Sequence, residues 1–100
     1  MKRRLVVSKR AQADLIEIWL YSFKNWGEAQ ADRYLDELDA GLRECGAEPE
    51  CGRRRDEVRP GYWSILVRRL VAFYTVTADE VLIQRVLHGS MDPDLHMDDE

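Results

Sequence analysis

Two helical segments joined at a single glycine constrain this chain more than any other feature of its sequence. In the first segment, apolar or small residues recur at helical spacing with Trp19 beside them: Ala11, Leu15, Ile18, Ser22 and Trp26. In the second, the same spacing gives an apolar arc of about 100°: Ala31, Tyr34, Leu35, Leu38, Leu42 and Cys45. Because little more than Gly27 separates the two segments, we expect the helices to fold back on each other as an αα-hairpin.

The C-terminal half has the composition of β-strands. Three segments after Gly61 are rich in Val, Ile, Leu and aromatic residues, which favour strands: residues 62–67, 70–77 and 81–87. Residues 3–7 form a fourth strand candidate, and residues 49–61 have the turn signals of a loop. The order β-α-α-β-β-β predicts an α+β fold, an α-helical hairpin packed on a small antiparallel sheet.

Charge is unevenly distributed along the chain. The net charge of −4 is caused by five acidic residues between Asp92 and Glu100, where there is no Lys or Arg. Without these five residues, the chain has fifteen basic residues and fourteen acidic ones. Domains that hold a nucleic-acid backbone usually have a clear basic excess. We therefore expect no direct nucleic-acid binding by this protein.

Composition and length indicate one small globular domain. Hydrophobic residues make up 45% of the chain and charged residues 34%, which is typical of a folded chain. The sequence contains neither a membrane-span candidate nor a signal peptide, so we expect a cytoplasmic protein. The two cysteines, Cys45 and Cys51, are too few for a disulfide framework. We predict a single domain over residues 1–97, an acidic disordered tail over 98–100, and no cofactor.

A series of short motifs between residues 5 and 96 matches one protein family in order and spacing. The matching residues in the helical half are Ser8, Ala11, Asp14-Leu15, Ile18, Tyr21, Trp26-Gly27, Ala31, Tyr34 and Leu38. Those in the second half are Pro49, Gly52-Arg53, Asp56-Glu57, Arg59-Pro60-Gly61-Tyr62, Phe73-Tyr74, Arg85-Val86-Leu87-His88 and Met91-Asp92. With these motifs the chain resembles the ParE branch of the RelE/ParE toxins of type II toxin–antitoxin systems.

The resemblance implies a toxin that inhibits DNA gyrase without catalysis. It also implies a cognate antitoxin, a small ParD-like DNA-binding protein that neutralises the toxin in a hetero-oligomer. An alternative is a RelE-like, ribosome-dependent mRNA endoribonuclease. Such a nuclease needs general acid–base groups, and the folded body offers one histidine, His88, with several arginines. A third possibility is an inert remnant that retains only antitoxin binding.

The first helical segment has more apolar surface than one face can bury. Ile16, Leu20 and Phe23 lie outside its main face and widen the apolar arc to about 200°. Exposed apolar patches of this kind mark partner sites. We predict that Ile16, Leu20 and Phe23, with Trp19, bind the antitoxin. The alternative is that this stripe packs on the second helix or on the rim of the sheet.

Arginines are the candidate residues for contacting the target. Arg59 precedes the Pro60-Gly61 turn, Arg68 and Arg69 lie between two strand candidates, and Arg85 lies in the last one. Arginines grouped on one surface would steer and orient an acidic protein partner. Since side chains alternate along a strand, Arg85 and His88 should lie on opposite faces. We therefore predict no catalytic residue.

The last residues raise two further points. His88, Asp92 and His96 have metal-ligand chemistry, but Gly89 and Pro93 interrupt a regular helix between them, and no metal site is predicted. Residues 91–96 resemble the C-terminal motif of the family, so we expect Leu95 to dock on the folded body.

Overall fold

The structure, a computed structural model, describes residues 3–88. A first strand leads into two helices: β1 (Arg4–Val7), α1 (Lys9–Trp26) and α2 (Glu28–Ala47). A 3₁₀ turn (Pro49–Cys51) and four strands follow: β2 (Arg53–Arg54), β3 (Trp63–Val67), β4 (Leu70–Val76) and β5 (Glu80–His88). The predicted α+β architecture and element order are confirmed. The end of the predicted domain and the tail at 98–100 lie outside the described residues.

The five strands form one mixed sheet in the order β1-β5-β4-β3-β2. Strands β2 to β5 pair antiparallel, as the predicted meander requires, while β1 runs parallel to β5. A parallel pair needs a long crossover connection, and the helical hairpin is part of that connection here. The prediction of a wholly antiparallel sheet is therefore corrected to a mixed one, and the predicted 49–61 loop contains the two-residue strand β2.

Helix α1 begins and ends at the residues that its sequence indicates. The Ser8 hydroxyl accepts a hydrogen bond from the N–H of Ala11 at 3.0 Å, which caps the first turn. Gly27 ends the helix with a φ of 89°, and its N–H donates to the carbonyl of Phe23 at 2.9 Å. Since glycine adopts positive φ without steric cost, this one residue lets α2 start immediately.

Ser8, the residue that caps α1, forms hydrogen bonds with the edge of β5 just beyond the end of β1. The N–H of Ser8 donates to the carbonyl of Ile83 at 3.0 Å, and its hydroxyl donates to the carbonyl of Gln84 at 3.0 Å. The pairing of β4 with β5 shifts register here, because Phe73 faces Arg85 while Tyr74 faces Ile83. Gln84 is thus the extra residue of a β-bulge.

The helical hairpin covers one face of the sheet and encloses the main core. Buried residues from both helices and the central strands meet there, including Leu38, Leu42, Tyr74 and Ile83. A smaller cluster of Tyr62, Phe73 and Leu87 contains no helical residue. The Arg55 guanidinium lies 5.3 Å from the centre of the Phe73 ring in this smaller cluster. The loop before β3 therefore protects part of the second face.

Tyr74 holds the start of the connection between α2 and β2 against the core. Its hydroxyl donates to the carbonyl of Pro49 at 2.6 Å, and burial raises the pKa of Tyr74 well above its usual range. Burial likewise raises the pKa of the Cys45 thiol to about 11, whereas Cys51 is exposed. Because the thiolate is the reactive form, Cys45 acts as a small core residue at neutral pH.

Within residues 3–88, no helix is long and apolar enough to cross a membrane.

Two glycines of α2 offer a matched test of how tightly this helix packs on the sheet. A Cβ at Gly41 would lie 2.6 Å from Cγ2 of Val67, whereas one at Gly46 would lie 3.5 Å from Cβ of Leu5. We expect Gly41→Ala to lower the free energy of unfolding by about 1–2 kcal/mol, since overpacking outweighs the better helix propensity. Gly46→Ala should leave stability unchanged or raise it by up to about 1 kcal/mol.

Chemical denaturation followed by circular dichroism measures both variants. Equal stabilisation by the two alanines would contradict the close packing of α2 on β3.

Candidate functional site

The candidate site begins with a row of apolar side chains on α1 that faces solvent. Ile16 is 62% exposed, Leu20 49% and Phe23 45%. With Trp19 these residues form what we call the outer stripe. The alternative that Ile16, Leu20 and Phe23 pack on α2 or on the sheet rim is wrong, because all three are exposed. Whether an antitoxin binds them remains a prediction.

Internal contacts hold the outer stripe in a fixed shape. The rings of Trp19 and Phe23 are stacked, with centroids 5.1 Å apart and planes inclined by 8°. The indole N–H of Trp19 donates to Oδ1 of Asp32 on α2 at 2.9 Å. Two aromatic rings are therefore fixed before any partner arrives, and ordering them on binding costs little entropy.

The outer stripe stays exposed to solvent because α1 packs on the fold through its opposite side. Ala11 is fully buried and Ser22 is 1% exposed, and Leu15 and Ile18 are half-buried against the main core, so these residues form the contact of α1 with the rest of the fold. Ile16, Leu20 and Phe23 lie on the other side of the helix and stay exposed. The outer stripe is therefore surplus to the core.

The β3–β4 turn presents two of the predicted target-binding arginines. Arg68 has a φ of 57°, which is unusual for a residue other than glycine. Its Nε donates to Oε2 of Glu37 on α2 at 2.9 Å, and this hydrogen bond raises the pKa of Arg68. Arg69 is exposed and forms no ion pair within residues 3–88. Arg69 is thus the more accessible cation of the turn.

Arg59 lies in a different environment, on the loop before β3. It is half-buried, and its carbonyl accepts from the N–H of Tyr62 at 3.1 Å. In the same loop the N–H of Gly61 donates to Oδ1 of Asp56 at 2.8 Å, which is the main reason that the pKa of Asp56 is lowered. Arg59 therefore belongs to a well-ordered turn, apart from the pair at 68–69.

Arg85 does not lie where a target could contact it. It is 7% exposed, and its Nε and Nη2 donate to the two carboxylate oxygens of Asp14 at 2.8 and 3.0 Å. Oδ2 of Asp14 also accepts from the N–H of Val86 at 3.0 Å. The interpretation of Arg85 as a target-binding residue is corrected: this side chain fastens α1 to the exposed edge of β5.

The groups weighed for nuclease chemistry are spread over the structure. His88 is half-buried at the end of β5, while Arg85 is occupied by Asp14. Along this stretch Val86 belongs to the main core and Leu87 to the smaller cluster, as alternation requires. No group of three potential metal ligands occurs within residues 3–88, and Asp92 and His96 lie outside them.

Comparison with known proteins identifies the family of this chain from its sequence and matches its fold to a solved structure. The family model described as "ParE toxin of type II toxin-antitoxin system, parDE" matches residues 5–93. The chain belongs to the ParE toxin family. The resemblance predicted from the motifs is confirmed, and this ParE family member is a toxin of the type II class.

Two curated relatives cover nearly the whole ParE chain. Toxin ParE1 of Mycobacterium tuberculosis is 40% identical over 98 residues, which are 97% of this chain and 100% of the relative. Toxin ParE1 of Caulobacter vibrioides is 40% identical over 91 residues, or 91% and 94% of the two chains. A solved structure titled "Chromosomal ParDE TA system from P. aeruginosa" matches with a TM-score of 0.78 at 19% identity. It covers 87% of this chain and 96% of that one, which confirms the fold.

Two features of the site were not predicted from the sequence. Asp14 matched a family motif, but its pairing with Arg85 joins residues 71 positions apart, which no local pattern reveals. Trp26 shares the helical spacing of Ala11, Leu15, Ile18 and Ser22, yet it is 60% exposed. It is the last residue of the helix, where the core no longer covers it.

Proposed function

We propose that this ParE toxin is neutralised when its outer stripe is buried by an amphipathic helix of a ParD-like antitoxin. The observation that carries the proposal is the exposure of Ile16, Leu20 and Phe23 on one side of a helix that packs through its other side. A partner helix with an apolar face would cover this row in the helix-in-groove manner. The product of a short reading frame next to the toxin gene is the partner to test.

The shape of the outer stripe supports an apolar partner. Its members repeat along about two turns of α1, which matches the i, i+4, i+7 spacing of anchors on a partner helix. The stacked rings of Trp19 and Phe23 supply a broad, rigid surface at one end. Aromatic anchors of this kind carry much of the binding energy at protein interfaces.

We further propose that the toxin acts in the cytoplasm by binding DNA gyrase, without catalysing a reaction. The family resemblance implies this target, and the cations at the β3–β4 turn offer a charged contact for it. Arg69 projects there without an ion pair in the described part of the chain. Rim cations of this type raise the association rate with an acidic surface. The toxin itself is not expected to bind nucleic acid.

Two substitutions separate gyrase binding from RNA cleavage. His88→Gln should leave growth inhibition within a few-fold of the unaltered toxin, because no proton transfer is required for binding. Arg69→Glu should weaken inhibition about tenfold at low salt and less at high salt, since screening reduces the charge effect. Growth inhibition and gyrase supercoiling are measured for each variant, with Arg33→Glu, an exposed arginine on α2, as the control.

The endoribonuclease alternative gives a different result in the same experiment. Removing a general acid or base costs about 10²–10⁴-fold in rate. A collapse of toxicity in His88→Gln with unchanged antitoxin binding, or cleavage of ribosome-bound mRNA with normal supercoiling, would replace gyrase inhibition with RNA cleavage.

A further inference from the structure

The outer stripe has two unlike flanks, and α2 forms one of them. The indole N–H of Trp19 donates to Oδ1 of Asp32 at 2.9 Å, which places this side of α1 directly against α2. At 100° per residue, Asp32 shares an arc of about 80° on α2 with three other acidic side chains. These exposed residues, which we call the acid row, are Glu28, Asp32, Asp36 and Asp39.

Most of the negative charge of the acid row has no counterpart within the folded body. Arg43 lies in the same arc and pairs with Asp39 at 2.7 Å, so these two charges cancel. The other three members of the acid row form no ion pair within residues 3–88. Arg33, the nearest other cation on α2, lies about 60° beyond the arc. Three carboxylates therefore remain beside the apolar surface to attract a cationic partner.

The opposite flank of the outer stripe lies on α1 and has a mixed charge. Measured around α1 from Leu20, Lys24 lies about 40° away, Glu17 about 60° and Arg10 about 80°. Lys9 lies about 20° from the line of Leu20, at the start of the helix. Because one acidic and three basic residues border this flank, the surroundings of the outer stripe are acidic on the α2 side alone.

We propose that the helix which covers the outer stripe carries lysine or arginine side chains along its edge towards α2, opposite the acid row. This inference rests on the proposed function and adds to it the charge pattern of the partner. An apolar face alone would admit many amphipathic helices. Opposed charges fix the orientation of the bound helix and discriminate against a helix with acidic residues at the same edge.

The spacing of the acid row sets the spacing of the partner's basic residues. Glu28, Asp32 and Asp36 recur at i, i+4 and i+8, so they follow the outer stripe for about two turns. Basic residues that recur once per turn beside the apolar face of the partner would meet them. An antitoxin helix with this pattern is the expected ligand.

Two members of the acid row can be altered without removing a contact of the fold. Asp32→Asn removes the charge and keeps an oxygen that accepts from the Trp19 indole. Asp36 is exposed and forms no ion pair within residues 3–88, so Asp36→Lys reverses its charge in place. Glu17→Lys makes the same charge change on the opposite flank and is the matched control. Glu28 is left unaltered, because it interacts with the dipole of α2 in its first turn.

Calorimetric titration of each variant with the purified antitoxin tests the proposal, with circular dichroism to show that the variants fold. At an ionic strength of about 0.05 M, Asp36→Lys should weaken binding about tenfold and Asp32→Asn about threefold. At about 1 M salt both losses should shrink to less than about twofold, because screening removes the charge effect. Glu17→Lys should not weaken binding at either ionic strength.

Three results would overturn the proposal. They are unchanged or tighter binding in Asp36→Lys, a loss that does not depend on salt, and an equal loss in Glu17→Lys, which would assign the effect to net charge. Leu20→Asp in the same titrations separates this inference from the proposed function. If Leu20→Asp weakens binding and Asp36→Lys does not, the charge pattern alone is wrong. Unchanged affinity in Leu20→Asp would refute the outer stripe as the antitoxin site and this inference with it.

Discussion

Leu20→Asp is expected to weaken binding of the antitoxin by about 100-fold. Burial of a large apolar side chain contributes about 1.5–3 kcal/mol, and each 1.4 kcal/mol is a factor of ten in affinity. The aspartate adds the cost of burying a charge at the interface. Leu20 is 49% exposed in the free toxin, so the fold should tolerate the change. Calorimetric titration with the purified antitoxin measures the loss.

Leu66 supplies the matched control for this substitution. It is 69% exposed on β3, away from α1, and Leu66→Asp should leave antitoxin affinity within about twofold. Circular dichroism must show both variants folded. Unchanged affinity in Leu20→Asp, or the same loss in both variants, would show that the outer stripe is not the antitoxin site.

Asp14→Ala is expected to lower the free energy of unfolding by about 3–5 kcal/mol. Arg85 is buried, and removal of its carboxylate partner would leave an uncompensated charge next to the core. The N–H of Val86 would lose its acceptor in the same change. Because the native free energy of unfolding is commonly about 5–15 kcal/mol, this loss can approach the total. Urea denaturation measures it.

An exposed ion pair provides the comparison for Asp14. Asp39 and Arg43 form an i,i+4 pair on α2 with a 2.7 Å contact, and both side chains are more than half exposed. Asp39→Ala should cost less than about 1 kcal/mol. The double change Asp14→Leu with Arg85→Met should recover much of the stability, since no unpaired charge remains. Equal losses for Asp14→Ala and Asp39→Ala would mean that the Asp14–Arg85 pair does not hold α1 to β5.

Local signals were sufficient to predict the helical hairpin. Ser8 and Gly27 define their helix ends through short-range hydrogen bonds, to the N–H of Ala11 and the carbonyl of Phe23, which sequence patterns reveal. The outer stripe was also predictable, because the angular position of a residue on a helix follows from its number. The contacts that each helix face makes do not follow from residue numbers, because Trp26 is exposed although it shares the spacing of buried residues.

Contacts between residues far apart in the chain could not be predicted from local sequence patterns. An alternating or apolar strand segment does not specify its neighbour or its direction, and β1 pairs with residues about 76 positions away. The bulge at Gln84 likewise depends on how α1 meets the edge of β5. Arg85 was assigned to the surface because arginine is usually exposed, and only the distant Asp14 makes its burial possible.

Hydroxyl-radical footprinting of the toxin with and without its antitoxin tests the central claim most directly, because α1 carries aromatic reporters on both sides. Trp19 and Phe23 belong to the outer stripe, while Tyr21 and Trp26 line a groove between the helical hairpin and one end of the sheet. If the antitoxin buries the outer stripe, it should slow oxidation of Phe23 and Trp19 at least fivefold. The oxidation rate of Tyr21 should change by less than twofold. Protection of Tyr21 and Trp26 with unchanged oxidation of Phe23 would contradict it.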